Sequence, residues 1–191
     1  MDKIKINTPL TDAVIKKLNA GDQVLITGHI YTARDAAHLR LMSCIQSGEA
    51  LPFDINGQII YYAGPSPARP GHAIGACGPT TSLRMDQMTV PLLKLGLKGM
   101  IGKGDRDERV LNGIAEYGAV YFCAIGGAGA LISSRIISST IVAYDDLGAE
   151  AIMRLEVVDF PVIVAIDSKG NDLYKTEPQK YRKIIDKGGA T

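Results

Sequence analysis

Gly75 to Arg84 reads GACGPTTSLR and places two glycines, a proline, the hydroxyl run Thr80, Thr81, Ser82 and an arginine directly ahead of the apolar-periodic MDQMTVPLLKL. Glycines let a backbone approach a ligand closely, a hydroxyl can cap the helix that follows, and an arginine in its first turn would meet an anion at the positive helix end. The stretch therefore reads as an anion site. It reads equally as an ordinary N-cap behind a Gly-Pro turn, with Arg84 in solvent. Two further junctions carry charge in the same way. Arg34 and Asp35 fall where a strand-like run gives way to a helical one, a place where free backbone N–H groups point out of the sheet edge. Lys103 stands between Gly102 and Gly104, either as a tether on a flexible turn or as a charge aimed at the mouth of the sheet. The Pro/Gly loop AGPSPARPGH adds Arg69 and His72 as candidates for ligand contact.

These residues need elements to hold them. LTDAVIKKLNAGD predicts a short helix with Thr11 as cap, Val14, Ile15 and Leu18 on one apolar face, and Gly21 as its stop. QVLITGHIYTA reads as a strand interrupted by a bend at Gly28. From Arg34 a helix presents Ala37, Leu41, Cys44 and Ile45 on one face and closes at Gly48. Gln58 to Tyr62 reads as a strand, and a helix follows Arg84. KGMIGKGDRDERVLNGIAEYG reads as strand, lysine turn, then a helix capped by Asp105. Beyond Tyr117 the chain is β-rich, with Pro161 at an edge or strand-start position. GGAGA, from Gly126, lacks the Lys-Ser/Thr ending of a P-loop and the later acid of a dinucleotide fingerprint, and is read as a close-packed turn. Residues 176–191 form a charged tail that is expected to fray.

Composition bounds the function. The 191 residues suffice for one domain with a real core, so 1–191 is read as a single unit. Lys and Arg number 21 against 20 Asp and Glu, and this balance speaks against a nucleic-acid partner, which needs a one-sided excess of positive charge. No apolar leader or membrane-length run stands out, so no membrane is expected and a cytoplasmic location is. Cys44, Cys77 and Cys123 are widely spaced, without a C-x-x-C pair, and fit neither a disulfide framework nor a zinc site, so no metal is assigned to this chain. Cys44 and Cys123 read as structural thiols. Cys77, inside the glycine-rich run, reads as core or as lining a site.

GHIYTARDAAH (Gly28 to His38), GPSPARPGHAIGACGPTTSLRMD (Gly64 to Asp86) and GMIGKGD (Gly99 to Asp105) together resemble the C-terminal part of class I fumarate hydratases. In two-subunit members this part is a separate beta subunit, shared with L(+)-tartrate dehydratase. The resemblance covers nearly the whole chain. It implies a swivelling β/β/α domain, with a mixed, largely central sheet flanked by helices. It also implies an alpha-subunit partner that carries a [4Fe-4S] cluster on cysteines of its own, and an assembly in which this chain also homodimerises.

The resemblance further implies a C4 dicarboxylate as substrate, with fumarate hydration favoured and L(+)-tartrate dehydration or mesaconate as alternatives. Carried over position by position, it puts Arg34 and Arg84 on the substrate carboxylates, Thr81 beside them, Lys103 as a third cation, and Thr80 at the proton-transfer position. Guanidinium forks suit carboxylates because they bind bidentately and stay charged when desolvated. A threonine hydroxyl is a weak base and serves only if nearby cations favour its alkoxide or it relays the proton onward. Asp35, Asp86 and Asp105 are close enough in sequence to pair with the three cations. Asp35 is expected to hold Arg34, and His38 reads either as a support for Arg34 or as a half-buried structural histidine. A reading of another class is a stand-alone anion-binding swivelling module.

Overall fold

Local signals set most of the elements in the computed structural model, which describes residues 3–188. Thr11 accepts the Val14 N–H at 3.4 Å and opens α1 (Asp12–Ile15), whose Ile15 is buried together with Leu18. Gly48 closes α2 (Asp35–Ser47) in the left-handed conformation, φ 72°, its N–H reaching back to the carbonyls of Cys44 and Ile45. The cap of α4 (Glu108–Tyr117) is Asp107, not Asp105: its carboxylate accepts the Val110 N–H at 3.0 Å, and Gly118 ends the helix at φ 60°. Asp105 lies two residues too early to reach those N–H groups.

Among the described residues the strands form one seven-stranded sheet, ordered β1-β2-β3-β4-β5-β7-β6. β1 (Ile4–Asn7), β2 (Gln23–Thr32), β3 (Ile59–Tyr61), β4 (Gly99–Gly102) and β5 (Val120–Cys123) run parallel. β7 (Ile152–Ile166) is antiparallel to β2, to β5 and to β6 (Ile136–Ala143). Because β7 pairs with both β2 and β5, the strands β2-β3-β4-β5-β7 close into a ring, which removes free edges from the middle of the fold. Every residue of β3 and β4 is buried, as a parallel strand covered on both faces must be. One core, inside the ring, gathers Ile26, Ile30, Tyr61, Ile101, Phe122, Val157 and Phe160. A second core packs α2, α3 (Asp86–Lys94) and α4 on the outer face through Leu41, Leu92, Leu93, Val110 and Ile114, against Ile60, Tyr62, Met100 and Tyr121. The architecture is a mixed α/β fold with a central sheet flanked by helices.

Three expectations need correction. β2 is not broken at Gly28. It runs on through a bulge between Ile26 and Gly28, with Gly28 at φ 120°. Pro161 is inside β7 rather than at its start. It lies opposite Leu25, in the span between Val157 and Ile163 where β7 has left β6 and not yet met β5, so its missing N–H faces no ladder. The helix after the hydroxyl run begins with a 3-10 turn, Ser82–Met85, that has no side-chain cap. The GGAGA turn is closely packed: a side chain at Gly129 would press on the backbone of Gly78, and the run continues into α5 (Gly129–Ser133). Helix α6 (Leu173–Gly188) runs into the charged tail and takes in its residues 176–188, and 189–191 lie outside the described residues. No described helix is long and apolar enough to cross a membrane.

The bend at Gly28 also anchors β1, because Thr8 Oγ accepts the His29 N–H at 2.6 Å and Thr8 N–H donates to Thr27 O at 3.0 Å. A Cβ at Gly28 would strike the Thr8 hydroxyl and force a conformation that L-residues avoid. Gly28→Ala is expected to lower unfolding free energy by on the order of 1–3 kcal/mol from backbone strain alone, measured by urea denaturation.

Candidate active site

The carboxyl ends of β2, β3 and β4 are neighbours, so residues leaving those strands meet at one mouth. Thr80, Thr81 and Ser82 return to this edge and wedge between the exits of β3 and β4. Thr80 N–H donates to Tyr62 O at 2.7 Å, Lys103 N–H to Thr80 O at 3.2 Å, and Ser82 N–H to Lys103 O at 2.9 Å, with Thr81 and Lys103 paired in parallel register. Both backbone polar groups of Thr80 are thus used within the sheet, and its hydroxyl stands outside this ladder. Gly102 explains this closeness, since any Cβ there would collide with Ser82. Gly104, at φ 82°, is fixed at both polar groups: its N–H donates to Tyr174 Oη at 3.1 Å and its carbonyl accepts from Tyr121 Oη at 2.8 Å. Lys103 is exposed at the tip, its stem beside Gly126, and among the described residues no carboxylate pairs with it.

Arg34 and Arg84 converge on one carboxylate. Asp35 Oδ2 lies 3.2 Å from Arg34 Nε and Oδ1 lies 2.8 Å from Arg84 Nε. Glu150 joins them, with Oε1 3.4 Å from Arg34 Nε. Burial raises the Asp35 carboxyl, but its own backbone N–H, the hydrogen bond from Arg34 and the charges of Arg84 and Arg34 outweigh this and hold it below the ordinary carboxylate range. Both arginines are gripped at Nε, which leaves the paired Nη edge, the one that takes a carboxylate bidentately, clear of these contacts. Gly64 gives Arg34 its room, because a Cβ there would sit 3.1 Å from Arg34 Cδ and 3.2 Å from Nη1.

Beneath the mouth a buried ion pair ties the two loops together. Arg106 Nε donates to Asp86 Oδ1 at 2.7 Å, and Asp86 Oδ2 accepts the Asp107 N–H at 2.6 Å. The guanidinium also donates to Thr89 Oγ1 at 2.9 Å and lies between the rings of Tyr62 and Tyr121, 5.3 and 4.9 Å from their centroids. Asp86 therefore faces inward to Arg106, and Arg84 takes Asp35 instead. His38 is fully buried rather than half-buried. Its backbone N–H, at 2.8 Å, and its Nδ1, at 3.0 Å, both meet Arg34 O, its ring edge faces Tyr62, and its Nε2 is buried without a partner.

The cysteines do not converge. Cys77 is core, with burial pushing its thiol up to about 12 and its carbonyl accepting from Tyr61 Oη. Cys44 meets Tyr144 and Cys123 meets Tyr174, both half-buried. Among the described residues no group of three or more His, Cys, Asp or Glu could hold a metal ion. Arg69 and His72 line a cavity of about 530 Å³ with Ser66, Ile74 and Ser133, whose lining includes neither Arg34 nor Arg84.

Comparison with known proteins decides the family. A profile described as the fumarase C-terminus matches residues 1–177. The chain belongs to the fumarase C-terminus family. It is 41% identical over 182 residues to a Methanocaldococcus jannaschii protein provisionally named L(+)-tartrate dehydratase subunit beta, covering 92% of this chain and 93% of that one. It is 37% identical to the anaerobic class I fumarate hydratase of Escherichia coli, over 91% of this chain but 32% of that protein. With fumarate hydratase 2 of Leishmania major the identity is 36%, over 90% of this chain and 31% of the relative. The family chain thus spans nearly all of the archaeal protein and about a third of the fumarate hydratases.

Within this member of the fumarase C-terminus family, Arg34 and Arg84 share Asp35, and Thr80, Thr81 and Lys103 share one backbone ladder. Sequence reasoning missed Glu150, Arg106, Tyr121 and Tyr174. Only Arg106 left a trace, as the cation of GDRD beside the GKGD motif.

Two outcomes follow from the buried groups. Asp86→Ala strands the Arg106 guanidinium and is expected to cost about 3–5 kcal/mol in urea unfolding. Desolvation lowers His38 from 6.5 to about 4. The unfolded chain therefore binds a proton that the fold refuses, and stability should fall as pH drops from about 6.5 toward about 4, by at most about 1.4 kcal/mol per pH unit. His38→Phe should flatten that slope, as read from unfolding midpoints at neutral pH and near pH 5.

Proposed function

We propose that this chain is the beta subunit of a two-subunit hydro-lyase acting on a C4 dicarboxylate, with fumarate hydration to L-malate as the favoured reaction. The observation that carries it is the convergence of Arg34 and Arg84 on one carboxylate at a sheet mouth that also carries Lys103, Thr80 and Thr81. A substrate carboxylate meeting the free Nη edges would replace water with two fixed cations and lose little orientation. Lys103 adds positive charge where electron density builds on the substrate when its C–H proton leaves. The Thr80 hydroxyl is the proton-transfer group of this chain, made more acidic by those neighbouring cations, and Thr81 adds a hydroxyl to the substrate contacts.

On this reading the alpha subunit carries the [4Fe-4S] cluster, this chain works as a swivelling β/β/α unit against it in the cytoplasm, and two copies of each assemble. The subunit name of the archaeal relative supports a partner chain, and the fumarate hydratases support one by the two thirds of their length beyond this family segment. A second reading, L(+)-tartrate dehydration, draws on the near full-length match to that archaeal protein. A panel of fumarate, malate, both tartrates and mesaconate on the reconstituted pair separates the two.

Arg84→Ala tests the site itself. It should lower kcat/KM of the reconstituted complex roughly a hundredfold or more, equivalent to about 3 kcal/mol, while the subunits still co-elute. Unchanged turnover would refute the assignment.

A further inference from the structure

We propose that Glu150 is the positioning residue that holds Arg34 for substrate, an inference that rests on the reading of Arg34 as a carboxylate ligand. Arg34 is the N-cap of α2, yet its side chain makes no cap hydrogen bond. Glu150 supplies the cap from 114 residues away, Oε2 accepting the Ala36 N–H at 2.9 Å. Its other oxygen lies 3.4 Å from Arg34 Nε, so a single carboxylate grips both the backbone turn and the side chain of the same junction. Such a group is well placed at a helix N-terminus, where negative charge is favoured.

A guanidinium is planar, and fixing its Nε edge fixes the direction of its Nη edge. Asp35 contributes to this hold, but its second oxygen is committed to Arg84 at 2.8 Å, so Asp35 moves with either arginine. Glu150 has no such divided duty: among the described residues its ion-pair partner is Arg34 alone. The Asp145–Glu150 turn that carries it is itself secured. Asp146 pairs with Arg40, whose guanidinium lies 5.1 Å from the centre of the Tyr144 ring. Ala149 O also backs onto Gly64, where a Cβ would meet it at the same 3.1 Å at which it would meet Arg34 Cδ. The turn, the start of α2 and the loop after β3 are thus pinned at one point, with Arg34 between them.

The test uses the chain assembled with its alpha partner. Glu150→Gln keeps an acceptor for Ala36 N–H but removes the negative charge that faces Arg34, whereas Glu150→Ala removes both. Glu150→Gln should raise KM for the dicarboxylate about tenfold with kcat changed less than about twofold, the pattern of lost uniform binding. Amide exchange at Ala36 should speed up in Glu150→Ala and not in Glu150→Gln. The double variant Arg34→Lys, Glu150→Gln should be no worse than Arg34→Lys alone, since Glu150 acts through Arg34. An unchanged or lowered KM in Glu150→Gln, or additive effects in the double variant, would each overturn the inference. If Arg34→Lys leaves KM unchanged, the parent reading fails and this inference with it; a raised KM there with none in Glu150→Gln removes this inference alone.

Discussion

The buried contact between Asp86 and Arg106 is the constraint on which the mouth of this molecule depends. Side chains exposed by 0% and 2% carry opposite charges there, and such a pair persists only if every donor is used and both groups are locked. Arg106 meets that condition through Asp86, Thr89 and the faces of Tyr62 and Tyr121. Asp86 ends the hydroxyl segment that follows β3, and Arg106 opens the stretch that follows the β4 lysine turn. Their contact joins the two loops from below, while Thr80, Ser82 and Lys103 join them from above through backbone hydrogen bonds. The interval between these two sets of bonds is only a few residues, and it holds Lys103, Thr80 and Thr81 in a fixed relation. Tyr121 connects the two levels, its hydroxyl lying 2.8 Å from Ser82 Oγ and donating to Gly104 O.

Charge at the mouth is arranged with the same economy. Arg34 and Arg84 would repel one another if left bare, and Asp35 between them, with Glu150 behind Arg34, removes that cost without occupying the Nη edges. The positive groups gathered at these strand ends are then two guanidinium groups sharing Asp35 and an exposed lysine that pairs with no carboxylate among the described residues. The family segment is about a third of the fumarate hydratases it resembles, and on the proposed reading their remaining length would supply the rest of the site. Glycines recur where approach is tightest: Gly102 against Ser82 leaves no room for a Cβ, and Gly64 under Arg34 and Gly129 against Gly78 leave little.

How much of this was legible in the chain differs from residue to residue. Thr11 and Gly48 act within one helical turn, so the residues themselves mark the ends of α1 and α2. The strand-to-helix junction at Arg34 and the glycine-flanked Lys103 were visible for the same reason, since short runs of β-rich and helix-periodic residues meet there. The motif wording identified the family and, with it, every residue expected at the site. The cap of α4 was misplaced by two residues because two aspartates compete within GDRDE, and only the path of the backbone selects Asp107. Gly28 was read as a break because a positive φ looks the same in sequence whether a strand ends or merely bulges around Thr8.

By itself, then, the sequence determined the elements, the family and the types of side chain available, because these depend on neighbours within a few positions or on motif identity. The tertiary structure alone decided which charges meet. Asp86 turned to Arg106 rather than to Arg84, Glu150 reached across 114 residues to cap α2, and β7 closed the ring through two partners at once. Ion pairs and closing strands join groups distant along the chain, and their choice of partner rests on burial and on the directions that packed helices and strands impose. No local pattern encodes that information, so Arg34 and Arg84 came together only when the sheet placed the ends of β2, β3 and β4 side by side.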